Sequence, residues 1–198
     1  MTIKNIIFDF GNVFIEWDPR NLYRKLVPAQ ELETFMQTVW KDEWNNNLDC
    51  GISLADNMKN MQEKYPQHSV YIVAYHQRFL ESLGEVNKGT LALLADVQAA
   101  GYATYGLTNW SAETFAIVRK EHPFFETFNG IVISGEENVC KPDPRIYKIL
   151  LQRYGLLPQE CVFIDDRQDN VEAAQGLGIA TILFKNAEQA RTELFKII

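Results

Sequence analysis

The chain has 198 residues, with 19 Lys and Arg against 26 Asp and Glu, for a formal net charge of −7. Its hydrophobic fraction of 46% and charged fraction of 23% are those of a globular domain, long enough for one core carrying an insertion. An acidic chain without a basic run is a poor partner for nucleic acid or an anionic membrane, and no stretch reaches the ~18 consecutive apolar residues of a membrane helix. The N-terminus lacks the long apolar region and small-residue cleavage site of a signal peptide, which predicts a cytoplasmic protein. Cys50, Cys140 and Cys161 are odd in number, far apart and without CxxC spacing. They read as small buried hydrophobes in a reducing compartment, with neither a disulfide framework nor a zinc site.

Ile3 to Phe8 is a short apolar run that suits a strand buried on both faces, as in a parallel sheet. Trp17 to Gly84 is helical in pattern. Leu32, Phe35, Met36, Val39 and Trp40 recur at helical spacing, Ser53 caps a second helix with Leu54, Met58 and Met61 on one side, and Val70, Val73, Ala74 and Leu80 suggest a third. Strand and helix then alternate. The strands are Tyr102 to Thr108, Gly130 to Ser134, Cys161 to Asp165 and Ala180 to Phe184. Asn87 to Ala100 is a helix with Leu91, Leu94 and Ala95 on one face and Gly101 closing it. Asp143-Pro144 opens another, with Ile146, Ile149 and Leu150 inward and Gly155 at its end. This pattern predicts an α/β fold: a doubly wound, Rossmann-like parallel sheet formed by 1–16 and 85–198, with a helical cap domain, 17–84, inserted after the first strand.

In open parallel sheets, ligands bind at the carboxyl ends of the strands. The residues there are Asp9-Phe10-Gly11-Asn12-Val13, Thr108-Asn109, Lys141 in the loop after the third core strand, and Asp165-Asp166. Two carboxylate clusters, a hydroxyl and an ammonium thus converge from distant parts of the sequence. Two adjacent carboxylates repel unless a cation or donors compensate. Ser111 reads as a helix N-cap, and Asp169 or Asn170 as the cap of a later helix. His68, His76 and His122 show no metal spacing and receive no role.

This set resembles the haloacid dehalogenase superfamily, whose members are mostly phosphatases. Phe8-Asp9-Phe10-Gly11-Asn12-Val13 is similar to its first motif, Leu107-Thr108-Asn109 to the second, Lys141 to the third, and Phe163-Ile164-Asp165-Asp166 through Asn170 to the fourth. The helical insertion matches the family's smaller cap, and the Asp-x-Gly-Asn-Val start is similar to that of its sugar-phosphate phosphatases. The resemblance implies a Mg2+-dependent phosphatase of a small phosphorylated metabolite, a sugar 1-phosphate for instance, working as a monomer or homodimer through an aspartyl-phosphate on Asp9. The implied metal ligands are Asp9, the Gly11 carbonyl and Asp166, with Asp165 outer or occasional. The Thr108 hydroxyl, the Asn109 backbone N–H and the Lys141 ammonium would hold phosphate oxygens, and Lys141 would help keep Asp9 ionised.

One position departs from the pattern. Phosphatases of the family usually carry a second aspartate two residues after the nucleophile, as general acid, and here that position is Gly11. Such an acid supplies ~10²–10⁴ in rate. A good leaving group, a substitute acid such as Glu16 or Asp18, or different chemistry would each explain its absence. The 2-haloacid dehalogenases also lack this aspartate. They need no metal, however, do not keep the metal-binding aspartate equivalent to Asp166, and require a cap arginine, for which Arg20 and Arg24 are available. A third reading is a catalytically silent member that binds a phosphorylated ligand or a protein.

Overall fold

The computed structural model describes residues 2–40 and 42–198. Its strands are β1 (Asn5–Phe8), β2 (Ile15–Trp17), β3 (Leu83–Val86), β4 (Ala103–Thr108), β5 (Gly130–Ile133), β6 (Cys161–Asp165) and β7 (Ala180–Leu183). Five of them form one sheet in the order β5-β4-β1-β6-β7, every neighbouring pair parallel. This is the doubly wound α/β sheet expected from the alternation. All four residues of β1 are buried, and the side chains alternate: Ile6 and Phe8 enter one hydrophobic cluster, Ile7 the other. Chain order runs outward from β1 in both directions, so β1 is the switch point beside which a crevice opens.

The crossover helices have the expected ends. Asn87 accepts a hydrogen bond from the Thr90 N–H at 3.1 Å and starts Lys88–Ala99. Asp143 accepts from the Arg145 N–H at 2.9 Å ahead of Pro144–Tyr154, and Gly155 closes that helix at φ 64°. Their buried faces are turned slightly from expectation. Leu93 and Val97 are buried beside Leu94, while Ala95 is exposed, and Tyr147 and Leu151 join Ile146 and Leu150. Gly106 on β4 leaves room for Phe10, whose ring would lie 2.2 Å from a Cβ placed there.

The segment after β1 adds an element that the apolar runs do not signal. β2 and β3 pair antiparallel, with Ile15 opposite Val86 and Trp17 opposite Leu83, and the chain leaves and re-enters the sheet through this ribbon. Between them lie helices Arg20–Tyr23, Ala29–Thr38, Asp42–Asp49, Leu54–Lys64 and Ser69–Gln77. Phe35, Met36, Val39 and Trp40 are buried as their period requires. The last helix presents another face: Ile72 and Tyr75 are buried, and Val70 is 73% exposed. Ser53 caps Leu54–Lys64, accepting from the Asp56 N–H at 3.1 Å. Among the described residues, no helix is long and apolar enough to cross a membrane.

The cysteines depart from expectation. Cys50, just past the end of Asp42–Asp49, is disulfide-bonded to Cys140 in the loop after β5, with Cα atoms 5.4 Å apart. Only Cys161 is the buried free thiol expected. The two partners stand 90 residues apart and meet only because the helical segment folds back onto the sheet. Spacing alone carries no sign of such a pairing.

Candidate active site

Asp9 follows β1 directly, and its backbone N–H still donates to the Ile164 carbonyl at 2.9 Å, which extends the sheet by one residue and fixes the side chain at its edge. The turn that follows is held by Asn12 in the left-handed region at φ 56°. Asn12 Oδ1 accepts from the Trp17 N–H at 3.1 Å, and its Nδ2 donates to Asp166 at 3.5 Å.

Lys141 is the hub. It is buried, and its Nζ lies 2.9 Å from Asp9 Oδ1 and 2.7 Å from Asp165 Oδ2, and donates to the Leu107 carbonyl at 2.9 Å. Asn109 holds the Lys141 backbone at both groups, its Nδ2 donating to the Lys141 carbonyl at 2.9 Å and its Oδ1 accepting from the Lys141 N–H at 2.8 Å. Burial works against the ammonium, but Asp165 and Asp9 outweigh it and hold Lys141 above the usual lysine range.

Asp9, Asp165 and Asp166 each offer a carboxylate oxygen within 4.8 Å of the others. Asp165 is heavily occupied: besides Lys141, it accepts from the Arg167 N–H at 2.8 Å and from Asn170 Nδ2 at 2.9 and 3.1 Å. Asp9 and Asp166 keep more of their oxygen capacity. Asp9 is pushed up to about 7, by burial first and then by the charges of Asp165 and Asp166, with Lys141 opposing. Lys141 thus favours the ionised form of Asp9 while burial, Asp165 and Asp166 oppose it. Asp166 is raised as well, by burial and by Asp165. Oxygen donors with excess negative charge and no nitrogen or sulfur among them suit a hard divalent cation.

Thr108 ends β4 fully buried, and its hydroxyl has no hydrogen-bond partner among the described residues. Leaving a buried hydroxyl unpaired costs about 1–3 kcal/mol. The next residues run into a cavity of about 160 Å³ lined by Asp9, Gly11, Lys141 and Asp166 on the sheet side. Trp17, Leu48, Tyr75, Phe79 and Trp110 supply its apolar wall. Ser111 stands at the N-cap position of Ala112–Glu121, but its hydroxyl makes no capping bond.

The residues considered as substitutes lie elsewhere. Glu16 rests against Gly84, where an added Cβ would come within 2.6 Å of Glu16 Oε2, and lines a different pocket with Glu85 and Lys88. Asp18 accepts from the Arg20 N–H at 2.8 Å and pairs with Arg20 and Arg24 at 3.8 and 3.9 Å. Arg20 also pairs with Glu33 at 3.3 Å. None of these four lines the cavity. Asp49, which the sequence reading did not single out, does line it.

A twofold-wound sheet whose switch point carries a carboxylate, a buried lysine and a second carboxylate cluster defines a hydrolase of the haloacid dehalogenase type. A sequence model of the haloacid dehalogenase-like hydrolases matches residues 3–178, and the chain belongs to that family. It is 26% identical over 197 residues to a sesquiterpene phosphatase of Aspergillus oryzae, across 100% of this chain and 97% of that protein. To the D-ribitol-5-phosphate phosphatase of Bacteroides thetaiotaomicron it is 22% identical over 205 residues, across 99% and 98%. Among solved structures, a haloacid dehalogenase family enzyme of the same bacterium is similar with a TM-score of 0.78 at 26% identity, over 98% of this chain and 99% of that one. Its complex with magnesium and inorganic phosphate gives 0.72 at 25% identity, over 93% and 95%.

Proposed function

We propose that the protein is a magnesium-dependent phosphatase of a small phosphorylated metabolite, with Asp9 as nucleophile and residues 17–84 as a cap over a core of 1–16 and 85–198. The observation that carries this reading is the unbalanced cluster of Asp9, Asp165 and Asp166 around a single buried ammonium. The cluster calls for a cation, and the buried Thr108 hydroxyl, one residue past the Leu107 carbonyl that Lys141 bonds and without a partner among the described residues, is available to an acceptor such as a phosphate oxygen.

In this reading Asp9, Asp166 and the Gly11 carbonyl hold Mg2+, with the heavily occupied Asp165 as an outer contact. When bound, the ion neutralises the phosphoryl group so that an anionic nucleophile can approach it. Asp9 attacks phosphorus, and the aspartyl-phosphate is then hydrolysed by water. Thr108, the Asn109 backbone N–H and Lys141 stabilise the charge on the remaining phosphoryl oxygens. Asn109 fixes the backbone of Lys141, so the ammonium meets each phosphoryl group in one place. The aromatic wall suits a leaving group with carbon bulk. It fits the two phosphatase relatives, whose substrates are a sesquiterpene phosphate and a pentitol phosphate by name. The dehalogenase reading lacks support from Arg20 and Arg24, which pair with Glu33 and Asp18 away from the cavity.

The test is phosphate release from a panel of sugar, polyol and prenyl phosphates, with and without magnesium. Release that needs magnesium and vanishes in Asp9→Asn is expected. Release that survives chelation, or metal-free halide release from 2-chloropropionate, sinks the reading.

A further inference from the structure

Among the described residues, three carboxylates line the cavity: Asp9, Asp166 and Asp49. The first two belong to the cation cluster. We propose that Asp49 is the general acid of this enzyme, supplied by the helical segment in place of the aspartate that position 11 lacks. The proposal rests on the phosphatase reading above.

Its placement is built, not incidental. Tyr75 Oη donates to Asn45 Oδ1 at 3.2 Å, and Asn45 Nδ2 donates to Asp49 Oδ2 at 2.7 Å, so a buried tyrosine sets the amide that orients the carboxyl. The Ser111 backbone N–H, three residues past Thr108, favours the ionised form of the carboxyl. The Asp49 carbonyl accepts from Ser134 Oγ at 2.5 Å, while that oxygen accepts from the Trp110 N–H at 2.9 Å. The next residue, Cys50, is bonded to Cys140, which precedes Lys141. The acid is thereby anchored to the same loops that carry the phosphate-binding groups.

Local energetics point the same way. Asp49 is the last residue of its helix, where the carbonyl end of the dipole disfavours a negative charge, and that last turn holds no basic residue. Lys141 pairs with Asp9 and Asp165, whereas Asp49 has no ion-pair partner among the described residues. Burial pushes its carboxyl up to about 7. The Ser111 N–H and Lys141 oppose this rise, and the charge of Asp9 adds to it. The phenol of Tyr75, also packed there, is raised in turn by burial and by Asp49. A donor near neutrality serves both directions of proton transfer.

The steps balance. An oxygen of the Asp9 carboxylate bonds to phosphorus as the ester P–O bond breaks, and the departing alkoxide takes the Asp49 proton to leave as an alcohol. Water then attacks phosphorus and gives its proton to the Asp49 carboxylate. The bond between phosphorus and Asp9 breaks, inorganic phosphate leaves, and both aspartates return to their starting forms.

The test compares two esters that differ in the leaving oxygen, 4-nitrophenyl phosphate and phenethyl phosphate. The aryl oxide departs without help, and the alkoxide does not. In Asp49→Asn, kcat/KM, which reports attack by Asp9 and not the later hydrolysis common to both esters, should fall ~10²–10⁴-fold on the alkyl ester and by less than ~10-fold on the aryl ester. The readout is the ratio of the two, which a loss of folded protein leaves unchanged. A second variant adds rescue. A Cβ on Gly11 meets nothing within 4 Å, so Gly11→Asp fits the backbone and should restore alkyl-ester turnover in the Asp49→Asn background. An equal loss of kcat/KM on both esters overturns the proposal. So does a parent enzyme that cleaves the aryl ester but not the alkyl one, and in both cases the phosphatase reading stands. No magnesium-dependent release from either ester, or from the wider panel, overturns the reading itself.

Discussion

The two sides of the cavity hold their polar groups by opposite means. On the sheet side, charge is gripped by charge and by backbone: Lys141 bonds Asp9, Asp165 and a carbonyl, and Asp165 accepts from Lys141, Asn170 and the Arg167 N–H. On the helical side, rings pack on rings, with Trp40 4.3 Å from Trp44 and 4.5 Å from Tyr75, and Tyr23 4.7 Å from Phe35. Among the described residues, that packing presents one carboxyl, Asp49, to the cavity. The sheet side is an electrostatic device whose parts fail together. The helical side is a shaped wall in which one polar group can change while the packing stands.

That contrast is open to breakage. If Asp9 is the nucleophile proposed above, Asp9→Asn should give the largest change, a loss of ~10⁴-fold or more in phosphate release, since an amide cannot replace a carboxylate there. Steady-state kinetics measures it, and residual turnover near the parent's would place the chemistry elsewhere. Lys141→Met comes next. It leaves the Asp9 and Asp165 carboxylates buried without their cation, and loss of one partner of such a set costs about 3–5 kcal/mol. Denaturant unfolding checks this, and a change under about 1 kcal/mol would mean the site is wetter than its burial indicates.

A smaller effect is expected at the join between the two sides. Cys50→Ser should cost about 2–4 kcal/mol under non-reducing conditions. Dithiothreitol should then destabilise the parent and leave the variant unchanged, and equal sensitivity of both chains would exclude the bond. The smallest effect belongs to the helical side alone. Both nitrogens of His76 are buried without a hydrogen-bond partner among the described residues, and burial pushes its pKa down to about 4, with Glu113 opposing. The unfolded imidazole gains its proton near pH 6.5 and the folded one only near 4, so acid favours unfolding across that interval. Parent stability should decline from pH 6.5 to 4 more steeply than that of His76→Phe, and parallel pH curves would show the ring to be solvated.

What the sequence discloses follows the same division. The three central strands, β4, β1 and β6, are apolar runs that end on or just before a residue with chemistry, because a strand buried on both faces must be apolar until it reaches the edge. Asp9, Thr108 and Asp165 are legible for that reason. The β2–β3 ribbon is only three and four residues long, too short for periodicity to register. The helix Ser69–Gln77 is apolar on nearly every side, so its pattern does not choose between Val70 and Ile72. Asp49 sits in Asp42–Asp49, a run of acids and asparagines that reads as a solvated face. One clue was present: an acid on the last turn of a helix opposes the local dipole, and such a conflict often marks a site where tertiary structure or function overrides local preference. The pairing of Cys50 with Cys140 left no such trace, since it depends on where the whole helical segment lands.

That pairing also changes the covalent topology of the chain. Residues 50 to 140 close into a ring that contains β3, β4 and β5 as well as two helices of the inserted segment. A protease that cuts once inside the ring opens it without releasing a fragment. The nicked protein therefore runs as a single species on a denaturing gel and separates into two pieces only after reduction.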